Sequence, residues 1–324
     1  MVKKFSSTKR AVLCLLALAG AGVSQAQDSG WPQRAVKVVV PYSAGGSSDA
    51  LGRMVAEGLN EIFKQPFVIQ NVGGAGGVIG SQQVARATPD GYTLVVSGVG
   101  SHVIAPALNP KVFDPIKDFT HVAMLGGPPI ALAVNQNVAV SNVKEFIELA
   151  RKTPGGLSWG SPGLGTHGYL IGKAFENLTK TPMVQVAYKG ASPAMVDLLS
   201  GAIPASFTTL STASGHIKAG KVKALAVSSP SRLRQFPDVP TFKELGYPTL
   251  TGVTWFALSG PAGMPADVTN KLNEAVRKVM QSPKAQSMLE KLGMETFDMD
   301  VAQFNTYVKD EIKQWTPLVQ SIKK

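Results

Sequence analysis

The sequence predicts an α/β fold built as two doubly wound lobes facing one cleft, and three observations carry that prediction. Short β-branched or apolar runs alternate with amphipathic helical stretches from residue 36 to the C-terminus. Glycine, serine and threonine loops separate most of those strands from the helices that follow them. Two interruptions, the breaker cluster Gly126, Gly127, Pro128 and Pro129 and the polar stretch 229–249, divide the alternation and mark crossings between lobes. In such sheets ligands lie beyond the carboxyl ends of the strands, where these loops fall.

The first 26 residues read as an export leader rather than as part of the fold. Lys3, Lys4, Lys9 and Arg10 make a basic start, 11–23 is an apolar stretch too short to span a bilayer, and Ser24-Gln25-Ala26 is a small-x-small cleavage site. Cleavage is expected after Ala26. Cys14, the one cysteine, lies inside the apolar stretch behind Leu13, which does not suit lipidation, so the mature chain has no disulfide, thiolate nucleophile or cysteine metal site. Of the 32 basic residues four belong to the leader; 28 remain against 21 acidic ones, a net charge of +7 on 298 residues. The charges are scattered without interleaved aromatics, which argues against nucleic acid and for a solvated surface that steers small anions. No later run of about 18 apolar residues occurs, so a soluble mature protein is expected.

The first element is a buried strand, Val36 with Val38 to Val40, ended by Pro41. After Gly45 and Gly46 come the cap residues Ser47, Ser48 and Asp49, and a helix from about Ser48 carries Leu51, Met54, Val55, Leu59 and Ile62 on one face. Its unpaired N–H groups carry roughly +0.5 of an elementary charge and can hold an anion. The same order repeats with a strand FVIQN, the loop VGGAGGVIG and a helix from Ile79. That loop spells GxGxxxG through Gly74, Gly76 and Gly80, not the dinucleotide spacing GxGxxG, and Asp90 precedes the next strand instead of ending it. A strand over 92–97 follows, then a loop offering Ser97, Gly98, Gly100 and Ser101.

Beyond the first crossing, Asn142 and Glu145 give a capping-box-like start to a helix with Val143, Phe146, Ile147 and Ala150 inward. A strand over 157–160 leads through SPGLGTH into a helix bearing Tyr169, Leu170, Lys173, Ala174 and Leu178. Strands are expected at 182–188, 202–207 and 224–228, a helix at 192–199, and a basic turn at 216–220. An extended segment at 253–259 reads as the return crossing, and the tail is helical over 265–281, 283–292 and 302–321. This gives one lobe from 27–128 and 252–324 and a second from 129–251.

Catalytic chemistry is missing from the motifs. There is no GxSxG elbow, HExxH, P-loop or calcium loop, and His102, His121, His167 and His216 are dispersed. Ser141 and Lys144 have SxxK spacing without its companion motifs. Binding without turnover fits better, with no cofactor and no metal. The rivals are an exported serine hydrolase using a pair such as Ser101 and His102, and a nucleotide site at Gly73 to Gly80.

These stretches resemble the extracytoplasmic receptors of the tripartite tricarboxylate transporters, the Bug family. The likeness runs from Trp31 onward through PYSAGGSSDALGR at 41–53, GGAGGVIGSQQVA at 73–85, PDGYTL at 89–94, FDPIKDFTHVA at 113–123, AYKGASPAMVDLLSG at 187–201, HIKAGKVKALAV at 216–227 and FPDVPTFKELGYP at 236–248. It implies a type II-like periplasmic binding protein, monomeric, with a two-strand hinge, closing on a small di- or tricarboxylate or an aromatic acid such as terephthalate. Membrane subunits of a secondary transporter would receive the ligand. Carried over by position, the first-lobe contacts are Tyr42, Ser43, Ala44, Gly45, Gly46, Ser47, Ser48 and Asp49, with Ser97, Gly98, Gly100 and Ser101. The second-lobe contacts are Ser161, Gly163, Gly165, Thr166, His167, Tyr188, Lys189 and Thr208. Asp49 is expected to cap its helix and order the loop, since a carboxylate would repel an acid. The sequence departs from relatives in having Tyr169 where a histidine is common, and Phe207-Thr208-Thr209 where many read Phe-Asp-Asn. Loss of that acidic group favours an acid without an ammonium. Tyr42, Trp159 and Tyr169 are candidates to flank an aromatic ligand.

Overall fold

Ten strands and ten helices were traced among residues 30–294 and 296–322, which the computed structural model describes; the leader and its cleavage site lie outside them. The first run is β1 (Val36–Val40), α1 (Ser47–Phe63), β2 (Phe67–Asn71), α2 (Val78–Ala85) and β3 (Thr93–Gly98). A π-turn segment, Gly100–Ile104, passes into the short α3 (Ala105–Leu108), and β4 (Phe119–Gly126) follows. The second run is β5 (Ile130–Asn135), α4 (Val143–Lys152), β6 (Leu157–Ser161), α5 (His167–Thr179), β7 (Met183–Ala187), α6 (Ala191–Ser200), β8 (Ala205–Thr209), α7 (Leu210–Lys218) and β9 (Val222–Val227). The chain ends with β10 (Phe256–Pro261), α8 (Ala266–Met280), α9 (Pro283–Leu292) and α10 (Val301–Ser321).

Two five-stranded sheets result, ordered β2-β1-β3-β10-β4 and β7-β6-β8-β5-β9. In each, the strands joined through helices are parallel: β1 with β2 and β3, β6 with β7 and β8. The strand that has just arrived from the other sheet runs antiparallel to its neighbours, β10 in the first and β5 in the second. A helical crossover enforces parallel pairing, and these two strands arrive without one. Both sheets are therefore mixed.

The two crossings run side by side. Pro129 and Val253 form an antiparallel bridge, and Thr254 N–H donates to the Pro128 carbonyl at 2.8 Å. A Cβ on Gly127 would lie 1.5 Å from the Thr254 carbonyl oxygen, so the breaker cluster is there because the two backbones touch. A continuous apolar cluster joins the sheets at this point: Met124, Ala257, Trp255, Phe304 and Trp315 pack with Ile130, Trp159, Phe175 and Phe207.

Local signals account for most helix starts. Asn142 Oδ1 accepts from Glu145 N–H at 2.9 Å, while Glu145 Oε2 takes the N–H of Ser141 at 2.6 Å, close to the expected box. The expected turn at 216–220 is corrected: His216 lies in the last turn of α7. The stretch LSTASGHIK carries few large apolar residues, and its polar hydroxyls hide a helix that packs through Leu210 and Ala213. The caps expected from Ser47, Ser48 and Asp49 shift as well, because the N-cap of α1 is Gly46 and no side chain bonds there.

Candidate ligand-binding site

Four helices begin at one small cavity of about 40 Å³ between the sheets. Its lining takes Gly46, Ser47 and Ser48 from the start of α1, Thr166, His167 and Gly168 from α5, Ala191 from α6 and Thr209 from the start of α7. α1 follows a strand of the first sheet and the other three follow strands of the second. Three of the four, with N-caps Gly46, Gly190 and Thr209, have no side-chain cap, so their first N–H groups stay unpaired by side chains. At α5, Thr166 Oγ1 accepts from Tyr169 N–H at 3.3 Å and donates to Gly163 O at 2.7 Å. No lysine, arginine, aspartate or glutamate lines the cavity, and the remainder of the wall is Tyr42, Gly100, Ile130, Pro162, Thr254 and Phe256. Four partial positive ends of about +0.5 each, in a site without fixed charge, favour an anion.

On the first side, the structure brings Tyr42, Gly46, Ser47, Ser48 and Gly100 of the expected set to the cavity. The Tyr42 hydroxyl donates to Gly76 O at 3.1 Å, and burial pushes its pKa up to about 12. Ala44 and Gly45 form the exposed tip of the loop. Asp49 stands behind it: Oδ2 accepts from Gly45 N–H at 2.9 Å and Arg53 Nε at 3.0 Å, and Oδ1 from Asn71 Nδ2 at 3.0 Å. Burial raises the Asp49 pKa, and the bonds from Arg53, Gly45 and Asn71 together more than offset this and lower it. Ser97 faces the sheet, with Oγ 2.7 Å from Ser259 Oγ, and Gly98 lies under the backbone of Trp255. Ser43, Ala44, Gly45, Asp49, Ser97, Gly98 and Ser101 are outside the lining.

On the second side Thr166 and His167 reach the cavity, and Ser161, Gly163, Gly165, Tyr188, Lys189 and Thr208 are outside its lining. Ser161 Oγ accepts from Gln185 Nε2 at 2.8 Å, while Gly163 and Gly165 hold left-handed turns at φ of 129° and 79°. Tyr188 donates to Asp197 Oδ2 at 2.6 Å; burial, and then Asp197, push its pKa up to about 12. Lys189 is exposed, and its carbonyl accepts from Ser43 N–H at 3.2 Å. Thr208 lies in β8 opposite Ala131, and among the described residues its buried hydroxyl has no partner. Adjacent strand residues face opposite ways. Thr209, not Thr208, therefore reaches the cavity.

Contacts across the gap are direct. Ser47 Oγ is 2.6 Å from Thr209 Oγ1, 2.5 Å from Ser211 Oγ and 3.3 Å from Thr212 Oγ1. The loop Gly74 to Gly77 has four successive residues at positive φ, including Ala75, and lies flat on the opposite side. A Cβ on Gly76 would come 1.9 Å from Leu164 O. The two sides thus touch directly around the cavity. Sequence reasoning missed Ile130, Pro162, Gly168, Ala191, Thr209, Thr254 and Phe256; the substitution at 207–209 pointed to the neighbouring Thr208 instead of Thr209, while Ile130, Thr254 and Phe256 come from the crossings and the strands they enter. Of the candidate aromatic flanks, Tyr42 lines the cavity, whereas Trp159 is fully buried edge-on to Phe207 and Tyr169 packs against the same cluster.

Ser101 Oγ lies 2.9 Å from His102 Nδ1, the one expected pair that the fold brings together. Both residues are fully buried, and His102 packs on Phe119 with ring centroids 4.4 Å apart. Burial, and then the neighbouring His121, hold His102 well below the ordinary imidazole pKa. Among the described residues no cluster of three or more His, Cys, Asp or Glu could hold a metal.

The model of the tripartite tricarboxylate transporter family receptor matches residues 51–323. The chain is 31% identical over 307 residues to protein BugT of Bordetella pertussis, covering 94% of each chain. It superposes on MatC from Rhodopseudomonas palustris with bound malate at a TM-score of 0.86 and 31% identity, covering 89% of this chain and 100% of that one. A second R. palustris structure, with adipate, also gives 0.86 and 31%, covering 90% and 98%. With helix N-termini from both sheets meeting at one cavity, and with relatives spanning nearly its whole length, the chain belongs to the tripartite tricarboxylate transporter receptor family of solute-binding proteins.

Proposed function

We propose that the protein is a periplasmic receptor that captures a small organic carboxylate between its two lobes and delivers it to the membrane subunits of a tripartite tricarboxylate-type secondary transporter. The observation that carries this reading is the meeting of four helix N-termini, three without side-chain caps, at a cavity lined by no charged side chain. Malate and adipate in the two R. palustris structures support the ligand class. The absence of an acidic side chain from the lining supports an acid without an ammonium group. The mature chain begins at Gln27 and acts as a monomer, with 27–128 and 252–324 as one lobe and 129–251 as the other.

Closure follows from the same charges. The N-terminus of α1 faces those of α5, α6 and α7 across the gap, and like partial charges oppose closing until an anion lies between them. The ligand binds the closed form better by that difference, which is what shifts the population. In the closed form the cavity is compact, so entry requires the Ser47 and Ser43 bridges to part. Among the described residues no helix is long and apolar enough to cross a membrane, so membrane delivery would fall to the partner subunits.

A thermal-shift screen of mono-, di- and tricarboxylates, aromatic ones included, tests the reading. At a hundredfold excess over Kd, binding adds about 2.7 kcal/mol of stability, a shift of several degrees. At least one acid without an amine should give it. Shifts only from cationic or neutral solutes would contradict the reading, as would tight binding of aspartate and glutamate with none of succinate.

A further inference from the structure

Among the described residues, one buried side-chain atom in the cavity wall has no hydrogen-bond partner. His167 is 1% exposed, lines the cavity, and among the described residues its Nε2 has no partner. The ring is held on its other side. Nδ1 lies 2.8 Å from Thr254 Oγ1, on the return crossing, and the Trp315 indole packs edge-on with centroids 4.8 Å apart. Trp315 is itself fixed, because Glu311 Oε2 accepts from Trp315 Nε1 at 2.9 Å and from Trp255 Nε1 at 2.7 Å. Gly252 makes the approach possible: a Cβ there would sit 2.4 Å from Trp315 Cζ2 and 3.6 Å from His167 Cε1. A histidine that opens a helix of the second sheet is thus clamped by the crossing and by the C-terminal helix α10.

The Thr254 contact fits two tautomers. A neutral imidazole has one donor and one acceptor nitrogen. Burial lowers the His167 pKa to about 3, so the ring is neutral in the periplasm. Donation from Thr254 Oγ1 to Nδ1 leaves the ring proton on Nε2, whereas donation from Nδ1 to Thr254 would leave Nε2 a bare acceptor. A donor N–H buried beside an anion site without an acceptor is costly until a ligand supplies one.

Resting on the carboxylate reading above, we propose that His167 is a specificity-determining residue that donates from Nε2 to a second oxygen of the ligand, beyond the carboxylate held by the helix N-termini, with Thr254 and Trp315 as its positioning residues. The ligand class narrows to acids with a second oxygen acceptor, such as a hydroxyl, keto or second carboxylate group.

Two measurements test this on the mature protein. Calorimetry with malate, succinate and adipate against butyrate and hexanoate, on wild type, His167→Phe and His167→Gln, should show the oxygen-bearing acids binding wild type at least tenfold tighter. His167→Phe should abolish that preference, and His167→Gln, which keeps a donor, should recover part of it. In parallel, ¹⁵N-histidine spectra of wild type at pH 7 should show the Nε2–H tautomer at His167 and a shift of that nitrogen on adding whichever acid binds. A preference unchanged in His167→Phe, an Nδ1–H tautomer, an unmoved Nε2 or tighter binding of butyrate would overturn the inference and leave the receptor reading standing. Where none of the five binds, the acid with the largest thermal shift is compared with its analogue lacking the second oxygen group, and the absence of a shift from any carboxylate would overturn both.

Discussion

Ser47 shows how a single hydroxyl links two halves of the chain. The sequence offers it as a cap for α1, yet its Oγ turns instead to Thr209, Ser211 and Thr212 across the gap. Ser47→Ala should leave each sheet intact and weaken closure. With about 1 kcal/mol for a net hydrogen bond, ligand affinity should drop roughly fivefold by calorimetry, whereas unchanged affinity would show that the bridge forms without ligand-coupled benefit. For Asp49 the loop-ordering role was legible, since its carboxylate sits four residues before Arg53 and beside Gly45, whereas the helix-capping role expected with it is absent. Thr209 was not, since two adjacent threonines in a strand give no sign of which one faces the cleft until its register with β5 is known.

At the scale of elements, the strand, glycine loop and helix order was readable because buried parallel strands and amphipathic helices have distinct periods. α7 escaped since its residues are small and hydroxylated, and it supplies one of the uncapped N-termini. The loop Gly73 to Gly80 offers a rival nucleotide site in sequence, and the structure gives its glycines Gly73 to Gly77 another use. They let one backbone lie flat on Leu164 and Gly165 of the other side. Gly76→Ala adds a Cβ where the Leu164 carbonyl already stands, at a φ of 66°. Strain at the positive φ should cost about 1 kcal/mol of stability. The larger effect should be on closure, with affinity lowered more than tenfold and a wider radius of gyration by X-ray scattering in saturating ligand. A variant that binds and compacts like wild type would remove the loop from the closing surface.

For the molecule as a whole, three buried histidines set the acid limit of stability. Burial, and then His121, keep His102 well below the ordinary range, while burial lowers His121 to about 4 and His167 to about 3. The unfolded chain takes up these protons near pH 6.5 and the folded chain does not. Each histidine's contribution is therefore complete above pH 6.5 and is lost as pH falls toward the folded values, at about 1.4 kcal/mol per unit. Glu311, raised by burial against the bonds from Trp315 and Trp255, works in the opposite sense but is one group against three. The melting temperature should fall steeply between pH 6 and pH 4, and a flat profile there would show the imidazoles to be hydrated.

The account turns on a carboxylate being gripped by backbone N–H groups from both sheets with no cation beside it. A crystal structure of the mature protein with the acid that gives the largest thermal shift tests this most directly. The carboxylate oxygens should lie about 2.7–3.2 Å from N–H groups at the starts of α1 and at least one of α5, α6 and α7. A lysine or arginine side chain on the carboxylate, or an acid bound to one sheet alone, would contradict it.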